Sequence, residues 1–154
     1  KYPDIKLLLI GPIDKGDKEV FKTYMDDPQI KEQIIYHKWK DLSEFPAFAR
    51  QSAIGLSPLI KNPQHDSGIA NKVYQYMLFE TPVLVSDCTP QLELIEETGG
   101  GMVFRNKDVG DLTEKIIYLY QHPEERKRMG ENGKKAVLEK YNSVVAGNTL
   151  NTIY

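Results

Sequence analysis

The chain has 154 residues, a net charge of −2, three histidines and one cysteine. This length suits one domain with a hydrophobic core, and the charge provides no basic footprint for nucleic acid. A single cysteine, Cys88, excludes an intrachain disulfide, and no apolar stretch is long enough to span a bilayer, so we expect a cytoplasmic location. The histidines lack the spacing of metal ligands, and we expect no metal site.

Apolar runs alternate with helical patterns along the chain. In chain order we expect a strand at 5–10, a helix at 18–25, a strand at 33–37, a helix at 43–50, a strand at 53–58, a helix at 70–79, a strand at 82–86, a helix at 91–97, a strand at 102–104, and helices at 111–120 and 123–141. This order predicts an α/β fold with a parallel sheet flanked by helices. Ligands of such sheets bind beyond the carboxyl ends of the strands.

Helix ends are also readable from the sequence. Ser43, Asp87 and Asp111 are residue types that begin helices, and Glu114 would complete a capping box with Asp111. The glycines that begin at Gly99 end the preceding helix, because glycine accepts the left-handed conformation found there.

The segment between the third and fourth strands is the strongest candidate for a binding site. A polar loop containing Gly68 enters a helix at the carboxyl edge of the sheet, where backbone N–H groups favour phosphate. Asn71, Lys72 and Gln75 share one face of this helix, and the ammonium of Lys72 would add a positive charge for the same anion. The simpler alternative is a solvated lysine beside an asparagine that only caps the helix.

Several blocks resemble the donor-site signature of family-4 retaining glycosyltransferases: residues 71–77, 79–87, 93–95, 101–104, 108, 111–112, 126–133 and 141. The resemblance implies that residues 1–154 are a Rossmann-like nucleotide-sugar-binding domain, the C-terminal half of a GT-B enzyme. It also implies that the acceptor, and any membrane contact, belongs to an N-terminal domain outside this chain. The nucleotide diphosphate sugar would be a substrate, and the resemblance implies no cofactor.

Two positions depart from the family pattern. That family carries two glutamates separated by seven residues, one near the sugar and one on the ribose, and Ser67 and Gln75 stand at their places. A glutamine accepts a ribose hydroxyl without charge assistance, which roughly halves the strength of the bond. Asp66 is a candidate substitute for the first glutamate, and Gly68 would let backbone amides approach the sugar or diphosphate.

The segment after the second strand resembles the part of the family that meets the nucleobase. Lys38 and Trp39 are the candidate residues there, although a lone tryptophan is equally compatible with partly buried packing. The order of elements matches the strand at 5–10 to the second strand of the family, so we expect the first strand to be lacking. Exposed sheet edges would then favour self-association.

We assign no catalytic residue, and we expect the isolated chain to be inactive. Three alternatives stay open: a degenerate glycosyltransferase-like binding domain, another Rossmann-type enzyme such as a sugar-nucleotide epimerase, and a flavodoxin-like interaction module. A G-x-G-x-x-G fingerprint is absent from the sequence, which argues against a dehydrogenase.

Overall fold

The structure, a computed structural model, describes residues 2–142. Its strands and helices, in chain order, are β1 (Leu7–Ile10), α1 (Lys18–Asp26), β2 (Ile34–His37), α2 (Phe45–Gln51), β3 (Gly55–Ser57), α3 (Asn71–Leu78), β4 (Val83–Ser86), α4 (Thr89–Thr98), β5 (Gly101–Phe104), α5 (Val109–Gln121) and α6 (Pro123–Glu139). The chain divides into two compact units, Lys1–Phe45 and Pro46–Tyr154, and each is described by itself. No helix in the described part is long and apolar enough to cross a membrane.

The first unit is a β-α-β arrangement. β1 and β2 are parallel, with Leu7 opposite Ile34 and Ile10 opposite His37, and α1 connects them. The ring of Phe21 meets the ring of Tyr36 edge-on at 4.9 Å. No described residue of this unit is buried, even though β1 is a continuous apolar run and β2 begins with three apolar residues.

The second unit contains a three-stranded parallel sheet in the order β3-β4-β5, with the fully buried β4 in the centre. Successive side chains of a strand point to opposite faces, and β4 divides its residues accordingly. Val83 and Val85 pack with residues of α3, α4 and α6, whereas Leu84 packs with Phe104, Leu119 and Met129. Helices therefore cover both faces of this sheet, which explains why residues 82–86 form an uninterrupted apolar run.

Two glycines are required by the geometry of the second unit. Gly99 has φ = 61°, the left-handed conformation, and its N–H bonds the carbonyl of Ile95 to end α4 as expected. At Gly130 a Cβ atom would lie 2.1 Å from the carbonyl oxygen of Glu80. α6 can therefore pack against the turn after α3 only because Gly130 has no side chain.

The α/β fold with parallel strands flanked by helices is confirmed. The strands nevertheless form two hydrogen-bonded sets, β1-β2 and β3-β4-β5, where the sequence suggested one sheet. Apolar runs identify strands but carry no signal for which strand pairs with which.

Three helix starts were predicted wrongly. The helical stretch begins with a 3₁₀ turn, Leu42–Glu44, which leads into α2, and its cap is Asp41 rather than Ser43. Asp41 accepts from the N–H of Ser43 at 2.8 Å and forms a capping box with Glu44. Asp108, not Asp111, begins α5 and accepts from the N–H of Asp111 at 2.9 Å. Acidic residues are favoured throughout the first turn of a helix, so composition alone does not separate the cap from the residues that follow it.

The third correction concerns Asp87. α4 begins after Cys88, whose side chain does not cap the helix, and Asp87 instead accepts a hydrogen bond from the N–H of Asn106 at 3.0 Å. This bond joins the segment after β4 to the segment after β5.

Candidate functional site

The candidate site lies where the chain leaves β3 and enters α3, in the second unit. The intervening β3–α3 loop, residues 58–70, starts at the carboxyl end of β3. Ala70 precedes α3, and no side chain caps the helix. The N–H groups of the first turn therefore have no side-chain acceptor, and this positive end of the helix favours an anion.

Lys72 lies in the first turn of α3. It is half-buried, and its ammonium group has no hydrogen-bond or ion-pair partner among residues 2–142. Burial lowers the pKa of Lys72 below its ordinary value, because a low-dielectric environment disfavours the charged form. The lysines at 40 and 134, in contrast, pair with glutamates at 3.1 and 2.7 Å. The uncompensated charge of Lys72 would be stabilised by an anion at this helix end.

Gln75 lies one turn further along α3 and is half-buried, and its side-chain amide also has no partner in the described part of the chain. Val73 and Met77 are fully buried in the core, and Tyr74 packs beside Tyr141 with ring centroids 5.6 Å apart. These contacts fix the rotation of α3, so the polar groups of Lys72 and Gln75 share the side opposite the core.

The predicted residues 66–68 lie directly before this helix. Asp66 accepts a hydrogen bond from the N–H of Thr89, the first residue of α4, at 2.8 Å through Oδ1. The hydroxyl of Ser67 donates to the carbonyl of Gln64 at 2.6 Å. Gly68 is exposed and fully extended, and a Cβ added there would meet no atom within 4 Å. Nothing in the described fold requires glycine at position 68, so a requirement for it would arise from a ligand.

Hydrogen bonds also hold the β3 end of the loop. The carbonyl of Leu59 accepts from the side-chain amide of Asn106 at 2.9 Å, and the ammonium of Lys61 donates to the carbonyl of Asp87 at 3.1 Å. The loop is thus attached to the segments that follow β4 and β5.

A buried polar network beneath the loop was missed in the sequence. The hydroxyl of Ser57, at the end of β3, donates to Oε1 of Gln91 at 2.6 Å, and Nε2 of Gln91 donates to the hydroxyl of Ser86 at 3.2 Å. All three residues are fully buried. The spacing of Gln91 from Leu94 and Ile95, i, i+3 and i+4, is the signal that places the glutamine on the buried face of α4.

The six predicted residues Asp66, Ser67, Gly68, Asn71, Lys72 and Gln75 therefore share one loop and the helix that follows it. Lys38 and Trp39 lie in the first unit, directly after β2, and both are exposed. Trp39 is 78% exposed. No group of three His, Cys, Asp or Glu side chains within residues 2–142 is placed to hold a metal ion.

Comparison with known sequences links the chain to one family. The family model described as "Glycosyl transferases group 1" matches residues 1–136. The capsular polysaccharide biosynthesis glycosyltransferase CapM of Staphylococcus aureus is 26% identical over 151 residues, which are 98% of this chain and 38% of that protein. The trehalose synthase of Thermococcus litoralis is 28% identical over 149 residues, covering 92% of this chain and 34% of that protein. The chain thus spans little more than a third of these relatives.

Solved structures share the fold. The C-terminal domain of the group 1 glycosyl transferase LpcC from Francisella tularensis matches with a TM-score of 0.79 at 22% identity, over 93% of this chain and 73% of that one. HepE from Anabaena, solved in complex with UDP, matches with a TM-score of 0.80 at 13% identity, over 98% of this chain and 41% of that one. At these identities the likeness establishes the fold alone.

Proposed function

Because the chain belongs to the group 1 glycosyl transferases, we propose that it binds the nucleotide diphosphate sugar from which the parent enzyme transfers a sugar, with retained configuration, to an acceptor. The observation that carries the proposal is the unpaired, half-buried ammonium of Lys72 at the uncapped start of α3. A helix N-terminus and a lysine together provide hydrogen-bond donors and positive charge for a diphosphate.

The neighbouring residues have complementary roles in this proposal. Gln75 bonds a ribose hydroxyl through its free amide, and Gly68 leaves room for the sugar or diphosphate to approach the backbone. Separately from these residues, Trp39 in the first unit, exposed after β2 beside Lys38, offers a flat face to a nucleobase. HepE was solved in complex with UDP, which supports a nucleotide ligand.

In this proposal the chain contributes binding and electrostatic stabilisation to catalysis. The charge of Lys72 offsets the negative charge that grows on the diphosphate as it leaves the sugar. The acceptor and the residues that touch it belong to the other half of the parent enzyme, so the isolated chain transfers no sugar.

The test is a titration of the 154-residue chain with UDP, GDP and ADP by calorimetry and amide chemical shifts. We expect one diphosphate to shift the amides of residues 68–75. Lys72→Ala should weaken its binding about tenfold or more, because a hydrogen bond to a charged group contributes about 1.5–3 kcal/mol. Gln75→Ala should weaken it less, because an amide provides no charge.

Lys135→Ala is the matched control, because Lys135 is an exposed lysine of α6 with no hydrogen bond or ion pair in the described residues. It makes the same change in net charge and should leave the affinity unaltered. If Lys135→Ala weakens binding as much as Lys72→Ala, the effect is long-range charge and the assigned site is wrong.

A degenerate binding domain is the second candidate, and the specific observation in its favour is Ser67 and Gln75 at the two glutamate positions. Absence of shifts with all three diphosphates at millimolar concentration would favour this candidate over a working donor site.

A further inference from the structure

We propose that Asp66 is a positioning residue that fastens the β3–α3 loop to the start of α4 and so holds the amide of Gly68 in place before the donor binds. This inference rests on the proposed donor-binding function, and it assigns Asp66 a role other than the sugar contact that the sequence suggested. The inference is based on the hydrogen bond between Asp66 and Thr89 and on the surroundings of these two residues.

Thr89 needs an acceptor from outside its own helix. As the first residue of α4 it has no acceptor for its N–H within the helix, and the side chain of Cys88 does not cap it. Oδ1 of Asp66 supplies that acceptor at 2.8 Å, across 23 positions of sequence. The carboxylate also lies at the positive end of α4, where a negative charge is favourable.

The loop is held differently at its two ends. Leu59 and Lys61 attach its β3 end through bonds to Asn106 and Asp87. Near α3, Asp66 is bonded to Thr89 and Ile69 packs against the core, so Gly68 lies between two fixed neighbours. Loss of the Asp66 bond would remove the hydrogen bond that attaches this segment to α4 and leave Ser67 held by its local bonds to Gln64.

The bond to Thr89 uses only part of the acceptor capacity of Asp66, because a carboxylate has about four lone-pair sites on its two oxygens. A positioning role and a direct sugar contact therefore have to be separated by experiment. An asparagine at position 66 keeps the acceptor oxygen and loses only the charge. Asp66→Asn therefore separates a positioning role from a contact that requires a carboxylate.

The first measurement is amide hydrogen exchange on the ligand-free 154-residue chain. In Asp66→Ala we expect the Thr89 amide to exchange at least about tenfold faster, because a tenfold change corresponds to the loss of about 1.4 kcal/mol of protection. We also expect the amide signal of Gly68 to shift or broaden. Asp66→Asn should restore most of the protection. Ser67→Ala loses only the local side-chain bond to Gln64, so it should leave the exchange rate of the Thr89 amide unchanged.

The second measurement is the affinity of the same variants for UDP, GDP and ADP and for their glucose conjugates. For the diphosphate that binds, Asp66→Ala should weaken the free and sugar-linked forms by the same factor, and Asp66→Asn should stay within about threefold of the wild type, since the acceptor is kept.

Two results would overturn the inference: unchanged exchange at Thr89 in Asp66→Ala, or a selective loss of the sugar-linked form in Asp66→Asn. The second result would make Asp66 a direct contact to the sugar. If the wild-type chain binds none of the ligands, the proposed function fails, and the exchange data still decide whether Asp66 holds the loop.

Discussion

Lys72 is the residue whose protonation state matters most to the candidate site. Burial lowers its pKa from the ordinary 10.5, and a bound diphosphate would raise it again by favouring the charged form. Affinity for the diphosphate should therefore fall as the pH rises through the lowered pKa, by about tenfold per pH unit once Lys72 is largely neutral. The last phosphate ionisation has a pKa of about 6, well below this range.

Calorimetry across this pH range measures the effect, and Lys72→Arg is the control because a guanidinium keeps its charge. Stability should change in the opposite direction. Between the lowered pKa and 10.5 the unfolded chain binds more protons at Lys72 than the folded chain, so the free energy of unfolding rises with pH. An affinity that stays flat up to the ordinary pKa of 10.5 in the wild type would place the diphosphate away from Lys72.

Gly68 allows binding to be tested without disturbing the fold. Its backbone is extended, and a Cβ would meet no atom within 4 Å, so Gly68→Ala should leave the melting temperature unchanged. If the donor approaches this backbone closely, the added methyl group should weaken binding about tenfold through steric conflict, as overpacking by one methyl costs about 1–3 kcal/mol. Thermal melting and calorimetry on the same samples separate the two effects.

Gly130→Ala should change stability rather than binding, and it serves as the comparison for Gly68→Ala. The added Cβ would lie 2.1 Å from the carbonyl oxygen of Glu80, so this variant should have a lower melting temperature. A Gly68→Ala variant that lost stability to a similar degree would show that position 68 is required by the fold itself.

At the scale of single elements, the network of Ser57, Gln91 and Ser86 joins the ends of β3 and β4 to α4. Gln91→Leu should lower the free energy of unfolding by about 1–3 kcal/mol, because the hydroxyl of Ser57 is left buried without its acceptor. Adding Ser57→Ala to Gln91→Leu should lower the free energy of unfolding little further or restore part of it, since both partners of the Ser57–Gln91 bond are then absent. Urea unfolding of the two single variants and the double variant measures this coupling.

Additive losses in the three variants would contradict this account of the network. Ser52→Ala is a suitable control, because its hydroxyl bonds a carbonyl of its own turn, that of Phe48 at 2.8 Å, and takes no part in the network.

Elements were easier to predict than their ends or their buried polar groups. The apolar run at 82–86 identified β4 because it is buried on both faces, and Gly99 identified the end of α4. Asp108 and Asp111 were confused because both are acids in or beside one helical turn. Gln91 was missed because a glutamine is usually solvated, and its burial depends on partners from two other elements.

The same contrast applies to the candidate site. The shared face of Lys72 and Gln75 follows from helical spacing and could be read from the sequence. The bond between Asp66 and Thr89 could not, because it joins residues 23 positions apart through the path of a loop. Loop conformation is set by such long-range contacts, for which the sequence carries no periodic signal.

At the scale of the whole chain, burial differs sharply between the two units. The second unit contains every buried residue of the described chain, including the whole of β4, whereas the first unit contains none. Opening a segment exposes to water only the surface that the segment had buried, so local stability follows burial. Opening β1 and β2 therefore exposes less buried apolar surface, and should cost less free energy, than opening β4.

We expect amide exchange to report this difference. The amides of β4 should be protected at least about 100-fold more than those of β1 and β2, which corresponds to about 2.7 kcal/mol in opening free energy. Leu84→Ala, a change at a fully buried position, should remove about 2–5 kcal/mol and lower the protection of β3, β4 and β5 together. Ile35→Ala, at an exposed position of β2, should leave them unchanged. Equal protection of β1 and β4 in the wild type would mean that both units unfold in one transition, and the burial of each unit would then not set its stability.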